Sequence, residues 1–304
     1  MCGISAVTGQ GNVVQVLYES IRNLEYRGYD SCGLGVVNHA EIAVRKNVGG
    51  VEEVNKREHL TSMIGSAGVA HTRWATHGKV TQVNAHPHTS SDGNFSIVHN
   101  GIINNYQEIR EELQAKGVPF VSETDTEVMA HLIAHYHAEC GDVEQAFVTA
   151  VKRLEGSYAF CMVTGLEPES IYCVREGSPL VLGLSPGRNF VASDLNAFLQ
   201  FTRDALRMED GEYAKLTPKE VKLARVADGQ PVERDRIRVE WDAESSRKGG
   251  YAHFMLKEIF EQPQTILNAL GSPAEDIARF ATLIQESQTT YLMGVGTTHY
   301  VALT

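Results

Sequence analysis

Six short runs of β-forming residues follow one another within residues 157–226, with turn residues between them. Before them, residues 13–25, 103–115 and 127–138 repeat apolar side chains at the spacing of a helix face. A sheet must bury one of its faces, and a chain with both kinds of element does so by stacking layers. The pattern predicts an α+β protein in which two packed sheets are covered by helices.

The N-terminal part of the chain adds further strand signals. Apolar or alternating segments predict strands at residues 3–8, 33–37, 41–45, 68–72 and 95–99, the second and third of these forming a hairpin. Thr124 to Glu127 has the residue types of a capping box, in which a Thr and a Glu side chain each bind a backbone N–H at the start of a helix. We therefore expect this motif to begin the helix at residues 127–138.

Two domains are predicted, at residues 2–240 and 241–304. Residues 227–250 are charged and contain glycine, which is typical of a linker. Three helical stretches follow, and an apolar strand at residues 289–296 leads into a turn like those that open α/β domains for nucleotides or phosphosugars. Because a parallel sheet needs neighbouring crossover units, the second domain is expected to be incomplete, with the chain stopping inside it.

The charge balance excludes several classes of partner. The chain of 304 residues has 27 Lys and Arg against 38 Asp and Glu, and no basic block. Nucleic acid and anionic membrane surfaces both require clustered positive charge, and no apolar run is long enough to span a bilayer. The five cysteines are scattered, which is typical of a reducing compartment. We predict a cytoplasmic protein with no nucleic-acid and no membrane partner.

Cys2 follows the start methionine and is a candidate nucleophile. The thiolate is the attacking species, and a free cysteine has a pKa of about 8.5. Once Met1 is removed, Cys2 carries an α-amine with a pKa of about 7.7–8.0, which leaves a useful neutral fraction to act as the base. The alternative is an inert buried thiol, since cysteine also behaves as a small hydrophobe.

Two loops and a helix start carry groups that suit an amino-acid substrate. Arg73 and Trp74 follow a predicted strand, and a guanidinium binds a carboxylate through two parallel hydrogen bonds. Asn100 and Gly101 offer a side-chain amide and a backbone N–H, which are typical oxyanion donors. Asp125, at the predicted helix cap, has the charge to hold an ammonium. Each feature also has a structural interpretation, namely a solvated Arg beside a core Trp, a strand-ending turn and a carboxylate favoured by the helix dipole.

Metal binding is the competing explanation for the twelve histidines. His86 with His88, and His131 with His135, have ligand-like spacing. No Cys-x-x-Cys, His-Glu-x-x-His or paired acid accompanies them, so we predict no metal and no cofactor. His86 is instead expected to organise its loop, and the helical histidines to be surface or satisfied core residues.

Several motifs, taken together, resemble one enzyme family. In chain order they are CGI at residues 2–4, LEYRGYDS at 24–31, HTRWATHG at 71–78, NAHPH at 84–88, HNGIINNY at 99–106 and SETDTE at 122–127. They resemble the glutaminase half of the glutamine–fructose-6-phosphate aminotransferases, also called glucosamine-6-phosphate synthases. The segment HFMLKEIFEQP at residues 253–263 is similar to that family's link between its glutaminase and isomerase halves. The resemblance covers essentially the whole chain.

The resemblance implies an N-terminal-nucleophile hydrolase fold with four αββα layers, followed by a helical linker and an incomplete α/β sugar isomerase segment. It implies that Cys2 attacks the amide carbon of L-glutamine with its own amine as the base, and that Asn100 and the Gly101 N–H form the oxyanion hole. The residues that would hold the α-carboxylate and α-ammonium of glutamine are Arg73, Thr76, His77 and Asp125. The resemblance also implies that Arg27 and Gly28 lie beside the thiol, and that Trp74 closes over the site.

The implied reaction is hydrolysis of glutamine to glutamate and ammonia through a γ-glutamyl thioester. In the full-length family the ammonia converts fructose 6-phosphate to glucosamine 6-phosphate, within an enzyme expected to be a homo-oligomer. Most of the isomerase half has no counterpart here, so this chain is expected to act as a glutaminase alone, with fructose 6-phosphate a partner only if that half is supplied.

Two alternatives stay open at this point. One is an idle fragment that acts as a pairing or regulatory module. The other is a hydrolase of different amides, which the pairing of Arg73 with Asp125 disfavours, since these two charges suit a free amino acid. Cys32 stands where a small residue is expected in the family. It is interpreted as a packing residue, with a second reactive thiol as the alternative.

Overall fold

The β-forming runs pair into two antiparallel sheets in a computed structural model, which describes residues 2–75, 78–240, 250–251, 254–294 and 297–303. The chain divides into two units, Met1–Ser246 and Arg247–Thr304, and both sheets belong to the first. The strands of the first unit are β1 Gly3–Gly9, β2 Ser31–Asn38, β3 Glu41–Val48, β4 Ala67–Arg73, β5 His88–Thr89, β6 Phe95–Ile103, β7 Gly156–Thr164, β8 Ile171–Glu176, β9 Val181–Ser185, β10 Arg188–Ala192, β11 Asp204–Arg207, β12 Glu212–Leu216, β13 Val221–Arg225 and β14 Ile237–Arg238.

The two sheets take their strands from different parts of the chain. The first has eight strands in the order β14-β11-β9-β10-β1-β4-β2-β3, and the second has six in the order β13-β12-β8-β7-β6-β5. Apolar side chains from both sheets, including Ile4, Val69, Val98 and Ala159, meet in one buried cluster. Because each strand alternates its side chains between faces, the opposite face of each sheet needs a second cover.

Helices cover those outer faces. The first unit contains α1 Val14–Arg22, α2 Val51–Glu58, α3 Tyr106–Ala115, α4 Thr126–Cys140 and α5 Val143–Val151. Side chains of α1 and α2, such as Leu17 and Val54, share a buried cluster with Leu34 of the first sheet. Those of α4 and α5, such as Leu132 and Phe147, pack with the second sheet. The layers are therefore αββα, which confirms the predicted fold of this part of the chain.

Some elements differ from the predictions. Helices α2 and α5 were not predicted, although the N-cap of α5 is Asp142, whose carboxylate accepts a hydrogen bond from Gln145 N at 2.7 Å. The linker was predicted to cover residues 227–250, but residues up to Val239 still pack with the first unit. Ile237 and Arg238 pair with β11, and Val239 is buried in the cluster beneath α1. The charged composition concealed this strand because only alternate residues of an edge strand need to be apolar.

The second unit contains three helices, α6 Phe254–Leu270, α7 Ala274–Glu286 and α8 Thr297–Leu303. The predicted strand at 289–296 is not formed over residues 289–294, and the last two residues of that segment lie outside the described ones. Strands require a hydrogen-bonding neighbour, and the described residues of this unit offer only helices. No helix within the described ranges is both long and apolar enough to cross a membrane.

Candidate active site

One cavity of about 280 Å³ gathers most of the residues predicted from the sequence. The predicted residues that line it are Cys2, Arg27, Arg73, Trp74, His86, Asn100, Gly101 and Asp125. The lining residues that were not predicted are His71, His99, Ile102, Thr124, Thr126, Ser178 and Pro179. Thr76 and His77 lie outside the described residues.

Strand pairing brings Cys2 to the end of β4. Gly3 in β1 is opposite Thr72 in β4, so the residue before β1 lies next to the residues that follow β4. The Cys2 sulfur accepts a hydrogen bond from Trp74 N at 3.2 Å, and its S–H points to Trp74 O at 3.5 Å. The backbone of Trp74, more than its partly exposed ring, therefore fixes the thiol.

The surroundings of Cys2 favour the protonated thiol. Burial raises the pKa of Cys2 above its ordinary value, while the Trp74 N–H and the positive charge of Arg73 act in the opposite direction. Burial is the larger effect because a thiolate loses its hydration in an apolar pocket. The thiol consequently needs a neighbouring base if it is to attack at neutral pH.

Gly28 lets the segment after the first helix approach the thiol loop. A Cβ added to Gly28 would lie 2.7 Å from Trp74 N and 2.9 Å from Arg73 O, so any larger side chain would displace the loop. Arg27, its neighbour, lines the cavity and pairs with Asp194 at 2.9 Å. Arg27 thus lies on the cavity lining, and Gly28 lies against the backbone of Arg73 and Trp74.

Asn100 and Gly101 lie inside a strand, so the alternative interpretation of a strand-ending turn is wrong. Strand β6 continues to Ile103, with Asn100 opposite Ala159 and Gly101 opposite Tyr158 of β7. Gly101 has a φ of 118°, and a Cβ there would lie 2.0 Å from Ser157 O. Only glycine fits this position. The Asn100 amide faces Cys2, since its Nδ2 donates to Cys2 O at 2.9 Å.

Asp125 is the N-cap of α4, but the predicted capping box is wrong. Its side chain makes no cap hydrogen bond. One carboxylate oxygen instead accepts from Ile103 N at 3.0 Å. Glu127 likewise turns to the preceding loop and accepts from Val121 N at 2.8 Å and Ser122 N at 2.7 Å. The Asp125 carboxylate is thereby held at the cavity wall by strand β6.

Arg73 is buried at the end of β4 and lines the same cavity as Asp125. One of its guanidinium nitrogens donates to Lys79 O at 3.3 Å. Burial lowers the pKa of Arg73 from its ordinary value, although the nearby carboxylates of Asp30 and Asp125 act against this effect. An arginine remains charged under such a shift. The cavity lining thus includes the Arg73 guanidinium and the Asp125 carboxylate, besides Arg27, which pairs with Asp194.

Behind Asn100 lies a group of buried histidines: His71, His86, His88 and His99. The rings of His71 and His86 stack with centroids 4.1 Å apart, and His86 Nδ1 accepts from His99 N at 3.2 Å. Burial lowers the pKa of each of these histidines. The rings of His71, His86 and His88 are therefore neutral and packed in a row, with the His86 and His88 centroids 4.9 Å apart.

His86 contacts strand β6 through its ring, which accepts a hydrogen bond from the backbone of that strand. The Lys46 ammonium donates to the backbone carbonyls on either side of His86, to Ala85 O at 2.6 Å and to Pro87 O at 2.9 Å. Over the described part of the chain, no group of three or more His, Cys, Asp or Glu residues is arranged to hold a metal ion.

Cys32 lies apart from the cavity lining. It is buried in β2 opposite Thr72 of β4, and burial raises its pKa well above the ordinary value. A thiol that is both inaccessible and protonated is a poor nucleophile. The geometry therefore favours the packing interpretation of Cys32.

The unpredicted residues differ in whether the sequence could have revealed them. His71 is two residues before Arg73 in β4, so strand alternation places both on one face. Thr126 and His99 adjoin predicted residues. Ser178 and Pro179 lie far along the chain, after β8, and no residue pattern singles them out.

Known proteins that are similar to this chain include glutamine amidotransferases. Residues 71–200 match the family model described as a glutamine amidotransferase domain. The glutamine–fructose-6-phosphate aminotransferase [isomerizing] of Aquifex aeolicus is 45% identical over 89% of this chain and 45% of its own length. The one from Pyrococcus horikoshii is 40% identical over 100% of this chain and 51% of its own length. The chain thus spans about half the length of these curated relatives.

A solved structure shares the fold of the first unit. The glutamine phosphoribosylpyrophosphate amidotransferase from B. subtilis, complexed with ADP and GMP, superimposes with a TM-score of 0.65 at 25% sequence identity. The match covers 74% of this chain and 49% of that chain. The four layers around the cavity are therefore those of a known glutamine amidotransferase.

Proposed function

We propose that this chain, which belongs to the glutamine–fructose-6-phosphate aminotransferase family and carries its glutamine amidotransferase domain, hydrolyses L-glutamine to glutamate and ammonia. One observation carries the proposal. The Cys2 thiol, the Asn100 amide, the Arg73 guanidinium and the Asp125 carboxylate all line a single cavity. Together they match the thiol, oxyanion and charge requirements of an amino-acid amide.

The reaction begins with the Cys2 thiol, whose raised pKa requires a base. After removal of Met1, the Cys2 α-amine takes the thiol proton, and the sulfur bonds to the amide carbon of glutamine. The C–N bond then breaks, and the amide nitrogen leaves as ammonia with that proton. Water cleaves the resulting γ-glutamyl thioester, which releases glutamate and restores the thiol.

Asn100 Nδ2 and the Gly101 N–H stabilise the oxyanion that forms when sulfur adds to the carbonyl. The support for this role is that Nδ2 already donates to Cys2 O at 2.9 Å, within reach of the reacting residue. Donors fixed before the reaction lower the barrier most, because they need no reorganisation. Asn100→Ala is expected to lower kcat for glutamine hydrolysis by roughly 10²–10³; an unchanged kcat would remove this assignment.

Arg73 binds the α-carboxylate of glutamine and Asp125 binds its α-ammonium, with Thr76 and His77 completing the clamp. Neither end of the substrate reacts, so these contacts bind the ground state and the transition state alike. Arg73→Ala and Asp125→Ala should therefore raise KM for glutamine much more than they lower kcat. A loss confined to kcat in both variants would assign them to the chemistry instead.

The whole protein's activity is proposed from the family. The ammonia passes to a sugar-isomerase half, where fructose 6-phosphate becomes glucosamine 6-phosphate, in a homo-oligomer of the cytoplasm. Residues 241–304 are the linker and the start of that half, and on their own they add no sugar chemistry. All five cysteines are free, as a cytoplasmic location requires.

The nucleophile is tested with matched cysteine variants. Cys2→Ala should abolish glutamine hydrolysis, whereas Cys32→Ala should keep most of it, because Cys32 is buried away from the cavity. An electrophilic glutamine analogue should add one covalent label at Cys2, located by peptide mass mapping. Labelling chiefly at Cys32 would reverse the assignment, and a folded wild-type chain without turnover would favour an idle module.

A further inference from the structure

We propose that His71 is a positioning residue that decides which end of the Asn100 side-chain amide faces Cys2. The inference rests on the proposed function in one respect, namely that Asn100 Nδ2 is the oxyanion donor. An asparagine amide has an oxygen end and a nitrogen end of nearly the same shape, and only the nitrogen end can stabilise an oxyanion. Something in the site must therefore distinguish the two orientations.

The hydrogen bonds around Asn100 provide that distinction. Asn100 Nδ2 donates to Cys2 O at 2.9 Å, and Asn100 Oδ1 lies 3.0 Å from His71 Nε2. The same His71 nitrogen lies 3.1 Å from His99 O. A backbone carbonyl is only an acceptor, so His71 Nε2 must carry a hydrogen and donate it. Flipping the amide would set two donors against each other at His71 and two acceptors against each other at Cys2.

The protonation of His71 is itself fixed. The ring is 1% exposed, and burial lowers its pKa to about 3, so it stays neutral at any working pH. Its Nδ1 is buried and has no hydrogen-bond partner among the described residues. A hydrogen on Nδ1 would therefore be an unsatisfied buried donor, whereas a hydrogen on Nε2 is shared by two acceptors.

Packing keeps the ring in place. His71 stacks on His86 with centroids 4.1 Å apart, and His86 is bonded to the backbone of β6, the strand that carries Asn100. The histidine and the asparagine it orients are thus held against the same strand. Such support is what keeps a reacting group close to its productive geometry.

Two substitutions of His71, by side chains of equal length, test the role. The amide nitrogen of a glutamine reaches the place of a histidine Nε2, whereas methionine fills similar space without a donor. His71→Met should lower kcat for glutamine hydrolysis by about tenfold or more, within the roughly 10²–10³ that one oxyanion donor supplies. KM should change little, and His71→Gln should recover most of the rate. If His71→Met does not fold, His71→Asn replaces it, because the shorter amide reaches only the Nδ1 position.

A double-mutant cycle separates positioning from general structural damage. If His71 acts through Asn100, then His71→Met added to Asn100→Ala should cause little further loss of kcat. An undiminished effect in that background, or equal losses in His71→Met and His71→Gln, would overturn the inference. Asn100→Ala with unchanged kcat would instead refute the oxyanion role in the proposed function, whatever the His71 variants do.

Discussion

The two units of the chain differ in what covers their apolar side chains. In Met1–Ser246, large side chains such as Phe95 and Phe160 are fully buried between sheets and helices. In Arg247–Thr304, helices α6 and α7 also have apolar faces, yet Phe260 is 63% and Phe280 is 64% exposed. Helical spacing therefore identifies an apolar face in both units, but it does not reveal what packs against that face.

The chemistry is concentrated in the unit with the buried clusters. Cys2, Arg73, Asn100 and Asp125 are held by β1, β4, β6 and the start of α4, all of which belong to Met1–Ser246. Precise placement of reacting groups requires rigid elements beneath them. All the residues that line the cavity belong to the first unit.

A matched pair of phenylalanine substitutions gives the largest expected effect. Phe160 is 0% exposed and lies 5.3 Å from Phe147 between ring centroids, so Phe160→Ala should destabilise the fold by about 3–5 kcal/mol. Phe280→Ala should change the free energy of unfolding by less than about 0.5 kcal/mol, because that ring is already exposed to water. The urea midpoint for loss of glutaminase activity measures both, and equal shifts would contradict the contrast.

Acid should destabilise the first unit selectively. His71 has a pKa of about 3 in the folded chain and 6.5 as its ordinary value. Between these pH values the unfolded chain therefore binds a proton at His71 that the folded chain does not bind. The contribution of neutral His71 to the stability of the folded state is fully present above pH 6.5 and is lost as the pH falls towards 3. Between pH 6.5 and 4.5 this amounts to about 2–3 kcal/mol. Urea unfolding followed by far-UV circular dichroism at pH 7.0 and 4.5 measures the loss.

The control for this pH effect is His71→Gln, which cannot titrate. It should lose less stability than the wild type between the two pH values, by about the amount assigned to His71. Identical losses in both proteins would show that the other buried histidines, such as His86 and His88, whose pKa values burial also lowers, account for the acid sensitivity. Helices α6 and α7 contain no histidine, so they should not share this response.

Much of the first unit could be predicted because its elements carry local signals. The hairpin of β2 and β3 and the six runs that became β7 to β10, β12 and β13 alternate or cluster apolar residues as strands do. Helix α2 was missed because only Val51 and Val54 are buried along it, which is too few to establish a period. The edge strand β14, with two residues, lacks any such signal.

The site was predictable as a set of residue types but not as a network. Cys2, Arg73, Asn100 and Asp125 are chemically conspicuous, and the family resemblance supplied their roles. The contacts that orient them involve backbone atoms, as with Trp74 N at the thiol and Ile103 N at Asp125. Such contacts depend on how the strands pair, so no pattern of side chains in the sequence predicts them.

Two truncations test the independence of the units, and the more important one is expected to have almost no effect. All three buried clusters draw their members from residues 4–239, so a chain ending after Glu240 keeps every one of them. Its stability should stay within about 0.5 kcal/mol of the full chain, and its kcat and KM for glutamine within roughly twofold.

A chain ending after Gln230 is the control. It loses β14 and Val239, a valine that is 5% exposed and whose N–H donates to Arg203 O at 2.8 Å. The same truncation removes Arg234, whose guanidinium donates to Glu212 Oε1 at 2.6 Å. Burial of a valine alone contributes about 1.5–3 kcal/mol, so this shorter chain should be less stable by at least that amount. If ending the chain after Glu240 costs as much as ending it after Gln230, the second unit supports the first, and the contrast between them does not hold.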